Sequence, residues 1–288
     1  MTRPLPRLSL LAALAVGAAS AAGCDNSVDQ VVPDAEAVPV GWALVWSDEF
    51  DGTALDESKW TLQIGDGCPD LCGFGNNELQ IYTADNHTVA DGVLTITARE
   101  EADGTFTSTR MNTQGKADWT YGRFTARIKL PVGQGIWPAF WMFFSEDTYG
   151  GWAASGEIDI MEYLGNNPTE VFGTLHYGGP FPDNVFSGDE LVLRSGTFAD
   201  DFFVFTIEWE EGEIRWYVNN VLYQTQTSDD WYTTGSDDPA APFNHDFFLL
   251  LNMAVGGNLP GPPDETTPFP QTMEVDYVRV YQRVAVPE

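Results

Sequence analysis

From residue 41 onward the chain reads as short runs in which apolar and polar positions alternate, the period of a half-buried strand. Such runs cover Leu44–Trp46, Trp60–Ile64, Val93–Arg99, Tyr121–Leu130, Glu157–Tyr163, Val171–Tyr177, Phe202–Glu210, Ile214–Gln224, Phe247–Val255 and Met273–Tyr281. Clusters of Gly, Pro, Asn and Asp separate them, as turns require. Asn219-Asn220, set between Arg215–Val218 and Val221–Gln224, is a two-residue hairpin signal. No stretch sustains a helical period, and Asp200–Phe203 can hold one turn at most. Many antiparallel strands over this length predict an all-β fold: a jelly-roll β-sandwich of two curved antiparallel sheets, one lining a concave groove long enough for a polymer.

One run breaks the pattern. Glu157-Ile158-Asp159-Ile160-Met161-Glu162 places three acids inside an otherwise apolar strand. Simple alternation puts Glu157 and Asp159 on one face and turns Glu162 away. A β-bulge around Ile160-Met161 returns Glu162 to the face of the other two. A strand displaying three carboxyl groups is costly to bury and points to chemistry. The spacing alone is weak, because 43 acids in 288 residues produce acid-x-acid-x-x-acid by chance about once. Context carries the weight: Gly156 precedes the run, the intervening residues are large and apolar, and Trp137 and Trp141 lie just upstream. The plain alternative is an edge strand with solvated acids. Two Glu flanking an Asp suit glycosidic cleavage with retention, in which carboxyl groups about 5–5.5 Å apart act as nucleophile and acid. An Asp between them helps set their pKa values apart. The expectation is a covalent glycosyl-enzyme intermediate with no metal or other cofactor in the chemistry. Periodicity does not say which Glu takes which role.

The start of the chain reads as an address. Arg3 and Arg7 precede an apolar, Ala-rich run from Leu8 to Ala22, so residues 1–23 are expected to be an export signal. Ala21-Ala22-Gly23-Cys24 looks like a bacterial lipobox, which predicts lipidation at Cys24 and a membrane anchor at the cell envelope; ordinary secretion is the alternative. Residues 24–40 are acidic, carry Pro33 and Pro39 and lack aromatics, as a disordered linker does. Residues 41–288 then form one catalytic domain, expected to act as a monomer. Setting Cys24 aside leaves Cys68 and Cys72 as a close pair; a disulfide fits an oxidising compartment better than a metal site, with two free thiols as the alternative. A net charge of −30 excludes nucleic acid as a partner and disfavours sulfated polysaccharide. Ten Trp residues fit stacking on sugar rings, although many must fill the core.

With these residues in view, the chain resembles family 16 glycoside hydrolases, and within them the laminarinase-like endo-β-1,3-glucanases. The resemblance runs from about residue 42 to 283 and rests on motifs in order: Trp46–Gly52, Gly75–Gln80, Tyr121–Phe124, Gly135–Met142, the acidic run, Leu175–Gly178, Asn252–Gly257 and Val275–Tyr281. It implies Glu157 as nucleophile, Glu162 as general acid/base and Asp159 as their electrostatic partner. It also implies Trp137 and Trp141 as a sugar platform, and His176 near Glu162 on the leaving-group side. Asn76, Glu78, Arg99 and Trp119 are candidate sugar contacts, with bracing of its own loop as the alternative for Glu78, and Trp209 is either core or sugar contact. Glu49, a carbonyl near Gly92, and Asp276 resemble a structural calcium site on the opposite face. Phe74 and Ile81 stand where family members commonly carry Trp and Tyr, a difference that bears on a distal subsite. The substrate expected is a β-glucan polymer cut internally at β-1,3 bonds. A mixed-linkage β-1,3-1,4-glucanase, an agarase-like or carrageenase-like galactanase, and a non-catalytic glucan-binding protein are the competing readings. The last typically lacks one or both catalytic Glu, and this chain has both.

Overall fold

The computed structural model describes Ser27–Val28 and residues 40–284. The expected export signal, Cys24 and most of the expected linker lie outside the described residues. Two stacked sheets dominate. One runs, from edge to edge, through Ser27–Val28, Asn184–Leu193, Glu170–Gly178, Glu157–Tyr163, Ile136–Phe144, Phe247–Val255, Arg110–Asn112 and Thr61–Leu62. The other runs through Val221–Thr227, Glu213–Val218, Phe203–Glu210, Gly122–Lys129, Gln271–Arg283, Val93–Glu100, Phe106–Ser108 and Gln80–Tyr82. Trp42–Asp48 adds to Gln271–Arg283, and His87–Ala90 adds to Val93–Glu100. Pairing is antiparallel except where Ser27–Val28 joins Val192–Leu193 and Gln80–Tyr82 joins Phe106–Ser108. The only helical segment among the described residues is the 3₁₀ stretch Cys72–Gly75.

The expected strands therefore form, with ends moved by a residue or two in most cases. Alternation decides which side chains meet between the sheets. Phe140, Met142, Ile158, Leu175, Leu249, Leu251 and Met253 from the first sheet face Ile96, Phe124, Phe205, Ile207, Trp216 and Val280 from the second, all essentially inaccessible to water. Each such side chain contributes about 1.5–3 kcal/mol by leaving water. Asn219 and Asn220 turn the Glu213–Thr227 hairpin with φ of 48° and 63°, left-handed values that Asn tolerates better than most residues.

Two long strands were not among the expected runs. Ile136–Phe144 is central to its sheet although Pro138 stands inside it, a residue that usually argues against a central strand. Asn184–Leu193 is polar over much of its length and lacks a clean apolar face.

The bulge is present at the expected place. Against Glu170–Gly178, Asp159 pairs with Thr174 and Glu162 with Phe172, so Ile160 and Met161 together oppose Gly173. Against Ile136–Phe144, Trp141 pairs with Asp159 and Phe140 with Met161, leaving Ile160 unmatched. Both Ile160 and Met161 enter the core. That double inward step returns Glu162 to the outer face.

Candidate active site

Cross-strand register places the outer-face residues of the first sheet in rows. One row reads Arg110, Asn252, Ala139, Glu162, Phe172; the next reads Asn112, Leu250, Trp141, Asp159, Thr174; a third reads Phe248, Phe143, Glu157, His176, Phe186. The three acids thus stand one per row along a single strand, flanked by aromatic residues on both neighbours.

Each carboxyl has a partner of a particular kind. The Trp137 indole N–H donates to Glu162 Oε1 at 3.0 Å, and the Trp152 N–H donates to Glu157 Oε2 at 3.0 Å. His176 Nε2 lies 3.3 Å from Asp159 Oδ2 and 3.7 Å from Glu157 Oε1. Across the core, Trp216 donates its N–H to the backbone carbonyl of Asp159 at 2.9 Å, satisfying a carbonyl beside the bulge. Gly173, opposite the bulge, leaves room for that indole: a Cβ there would sit 2.4 Å from Trp216 Cδ1.

Burial sets the electrostatics. Removal from water pushes the carboxyls of Glu157, Asp159 and Glu162 up to about 8. For Glu157 and Glu162 the charge on Asp159 adds to the rise, while His176 and the indole N–H groups act against it. Three such groups on one strand cannot all ionise at neutral pH, so the trio retains protons and shares them. A set of carboxyls that holds both a proton and a charge at working pH is suited to paired acid and nucleophile chemistry.

Around the trio, Trp141 donates its N–H to Asn252 Oδ1 at 2.7 Å and carries the Arg110 guanidinium 4.9 Å above its ring. Arg110 also lies 4.7 Å over Phe74, the residue standing where Trp is common. The Asn76 loop closes this side: Asn258 N–H donates to the Asn76 carbonyl at 2.7 Å, and Gly257 packs between that oxygen and the Trp137 ring. Glu78, a candidate sugar contact with loop bracing as its alternative, accepts bonds from Gln80 and the Tyr82 hydroxyl within its own loop, and burial raises its carboxyl pKa.

Several expectations need correction. Trp119 is 8% exposed and packs edge-on against Trp46 and Phe124, so it is a core residue and not a groove contact. Arg99 belongs to the second sheet, faces away from its core, and donates to the Asp85 carbonyl; the guanidinium over the Trp141 ring is that of Arg110. His176 lies against Asp159 and Glu157, not beside Glu162 as implied. Trp209 is wholly core and donates to the Phe243 carbonyl. Trp152, Arg110 and Asn252 were not assigned a role. Trp152 had a local signal, since it stands five residues before Glu157 in a Gly-rich loop; Arg110 had none.

Cys68 and Cys72 are joined by a disulfide. On the far face, both Glu49 carboxylate oxygens accept bonds from Arg279, and Asp276 Oδ2 accepts one from Arg127. As arranged, an ion there would share the Glu49 carboxylate with Arg279 and Asp276 Oδ2 with Arg127.

A β-sandwich that lays three partly protonated carboxyls and several indoles along one open face is built for a polymer of sugar rings and for cleaving the bond between them. The profile of glycosyl hydrolases family 16 matches residues 74–252, and the chain belongs to that family. It is 44% identical over 254 residues to a beta-glucanase of Rhodothermus marinus, spanning 84% of this chain and 86% of the relative. It is 43% identical over 259 residues to glucan endo-1,3-beta-glucosidase A1 of Niallia circulans, spanning 84% of this chain but 38% of that longer protein. The laminarinase catalytic domain of Thermotoga maritima MSB8 superposes with a TM-score of 0.76 at 42% identity, covering 85% of this chain and 99% of that one. The chain is a glycoside hydrolase.

Proposed function

We propose that this enzyme hydrolyses internal β-1,3-glucosidic bonds of laminarin-type glucans by double displacement. The bulge at Ile160-Met161 carries the proposal, because it alone turns Glu162 onto the face of Glu157 and Asp159. Glu157 attacks the anomeric carbon; the glycosidic C–O bond breaks as Glu162 delivers its proton to the leaving oxygen. Water then attacks the glycosyl ester, giving its proton to Glu162 and freeing the Glu157 carboxylate. Asp159, buried between them, shares the trio's protons and keeps the two Glu in different states. The indole N–H groups of Trp137 and Trp152 fix the orientation of the two Glu carboxyls. Ring faces of Trp137 and Trp141 offer the stacking surface, with Asn76 near as a polar contact and Asn252 holding the Trp141 indole.

The glucan preference rests on the relatives named above and on the Gly75–Gln80 loop packed beside Trp137. An oligosaccharide product profile on laminarin, barley-type mixed-linkage glucan and agarose, with the anomeric configuration followed by NMR, tests it. Internal cleavage of laminarin with the β-anomer appearing first is expected. An α-anomer removes the nucleophile from the scheme, and intact laminarin beside degraded mixed-linkage glucan or agarose moves the substrate.

Export with lipid on Cys24 belongs to the same reading and is supported by the arginines and the apolar run ahead of it in the sequence. Among the described residues no helix is long and apolar enough to cross a membrane. A structural calcium ion at Glu49, the carbonyl near Gly92 and Asp276 belongs to the same reading, and no step of the reaction passes through it.

A further inference from the structure

Glu157, Asp159 and His176 together also make a metal-ligand set, a use of these groups beyond sugar cleavage. Each of the three offers one ligand atom, and these atoms all lie within 4.8 Å of one another. Adjacent ligands of a tetrahedral ion with bonds of about 2.0–2.2 Å stand about 3.3–3.6 Å apart. The imidazole nitrogen is 3.3 Å from Asp159 Oδ2 and 3.7 Å from Glu157 Oε1, close to that spacing before any adjustment. Trp152 holds Glu157 by its other oxygen, leaving Oε1 turned toward the histidine. Asp159 Oδ2 is buried on a residue 4% exposed and has no hydrogen-bond partner. A buried carboxylate oxygen left without a donor, aimed at an imidazole nitrogen, is a position that a cation satisfies.

We propose that Glu157, Asp159 and His176 bind a divalent transition ion of the Zn²⁺ class, and that its binding switches the enzyme off. One imidazole and two carboxylates suit Zn²⁺, Co²⁺, Ni²⁺ and Cu²⁺. They do not suit Ca²⁺ or Mg²⁺, which require six or more oxygens or a retained water shell. An ion on Glu157 Oε1 ties up the lone pair that attacks the anomeric carbon and fills the space above Asp159. His176 Nδ1 is buried without an acceptor. A ligating histidine lacking that supporting bond loses about 10–100-fold in metal affinity, so the site suits reversible inhibition and not permanent residence. The inhibitory half of the proposal rests on the glucanase reading; the binding half does not.

The full chain, stripped of metal with chelator, is titrated with ZnCl₂ by calorimetry and with CoCl₂ by visible absorption. Excess Mg²⁺ is present to occupy the acidic surface. A single saturable site with an intense tetrahedral Co²⁺ spectrum is expected. His176→Gln and, independently, Asp159→Asn should weaken it at least tenfold, while His245→Ala leaves it unchanged. Loss of laminarin hydrolysis should follow occupancy of that same site, with Ca²⁺ and Mg²⁺ inert. Equal zinc affinity in the parent and both site variants overturns the proposal, as does full activity with the site saturated. Zinc binding that depends on His176 in a protein with no glucan hydrolysis supports the metal site and counts against the glucanase reading instead.

Discussion

The two outer faces of this sandwich carry the same residue type under opposite rules. On the second sheet, Arg123, Glu208 and Arg215 pair directly across strands, and Glu208 meets both guanidinium groups. Glu210 takes bonds from Arg283 and Arg215, which hold its carboxyl below the usual range. Glu49 is held down in the same way by Arg279. On the first sheet the acids meet indole N–H groups and one imidazole, with no guanidinium against any of them, and burial pushes them up to about 8. One face spends its arginines on keeping carboxylates charged. The other keeps its Arg110 over the Trp141 ring and off the trio, so that protons stay available for transfer.

If that contrast separates chemistry from support, neutralising an acid must cost activity on one face only. Glu157→Gln should lower turnover on laminarin by at least about a thousandfold, with laminarin binding within a few-fold of the parent by affinity electrophoresis. Glu162→Gln should cost about 10²–10⁴-fold, the range of a lost general acid. Glu208→Gln, on the arginine-rich face, should leave kcat within about twofold. A full-speed Glu157 variant would end the assignment of the nucleophile.

The next test breaks the geometry and leaves all three acids in place. Gly173 faces the core opposite the bulge, and a methyl there would meet Trp216 Cδ1 at 2.4 Å and the Tyr223 hydroxyl at 2.6 Å. Gly173→Ala should displace the indole that donates to the Asp159 carbonyl. The expected loss is about 1–3 kcal/mol for overpacking, plus about 1–3 kcal/mol if the buried carbonyl is orphaned. Denaturant unfolding reads the first effect. A fall in kcat larger than any change in KM reads the displaced bulge, whereas unchanged kcat in the folded variant would show that the acids do not depend on this support.

How far the sequence could be read follows the same division. Period-two alternation revealed the strands, and Asn219-Asn220 revealed their clearest turn, because both signals are local. The bulge was legible because three acids on one strand make no physical sense otherwise. Register was not legible. Alternation turns Arg99 away from the core, since Leu94, Ile96 and Ala98 point inward, but it cannot say which of two sheets the residue decorates. Arg110 sits on a three-residue strand whose importance comes only from pairing with Asn252. Trp119 looks like any groove Trp until Trp46 and Phe124 close around it. His176 was placed beside the wrong Glu, because only the pairing of Glu157 with His176 fixes its neighbour.

Stability against pH should move in opposite directions on the two faces. Asp159 has a folded value near 8, far above its unfolded value near 3.8, so folding takes up a proton between those limits and stability falls as pH rises through them. Asp159→Asn removes that penalty. The variant should match the parent near pH 4 and exceed it by about 1–3 kcal/mol near pH 8, while losing most activity. Glu210 runs the other way: its lowered carboxyl stabilises the fold above the unfolded value and loses that contribution as pH falls into acid. Glu210→Gln should therefore be the less stable protein at neutral pH, with the gap closing in acid. Urea unfolding of both variants at pH 4 and pH 8 decides the signs, and parallel shifts would erase the distinction between the faces.

The smallest effect is expected where the contacts look richest. Arg215 bonds Glu208, Glu210 and Glu213, yet its side chain is 21% exposed and water competes for every partner. Exposed ion pairs contribute about 0–1 kcal/mol, and ionic strength near 1 M shortens the screening length to about 3 Å. Arg215→Met, which keeps the stem of the side chain, should cost no more than about 1 kcal/mol at low salt and less at 1 M NaCl. Its kcat on laminarin should stay at the parental value, since no bond of Arg215 reaches the trio. A drop in kcat there would mean that the two faces communicate through the Glu213–Val218 strand, which also carries Trp216 to the Asp159 carbonyl. That strand carries Arg215 on the charged face and Trp216 beneath the bulge, so this variant probes the boundary between them most finely.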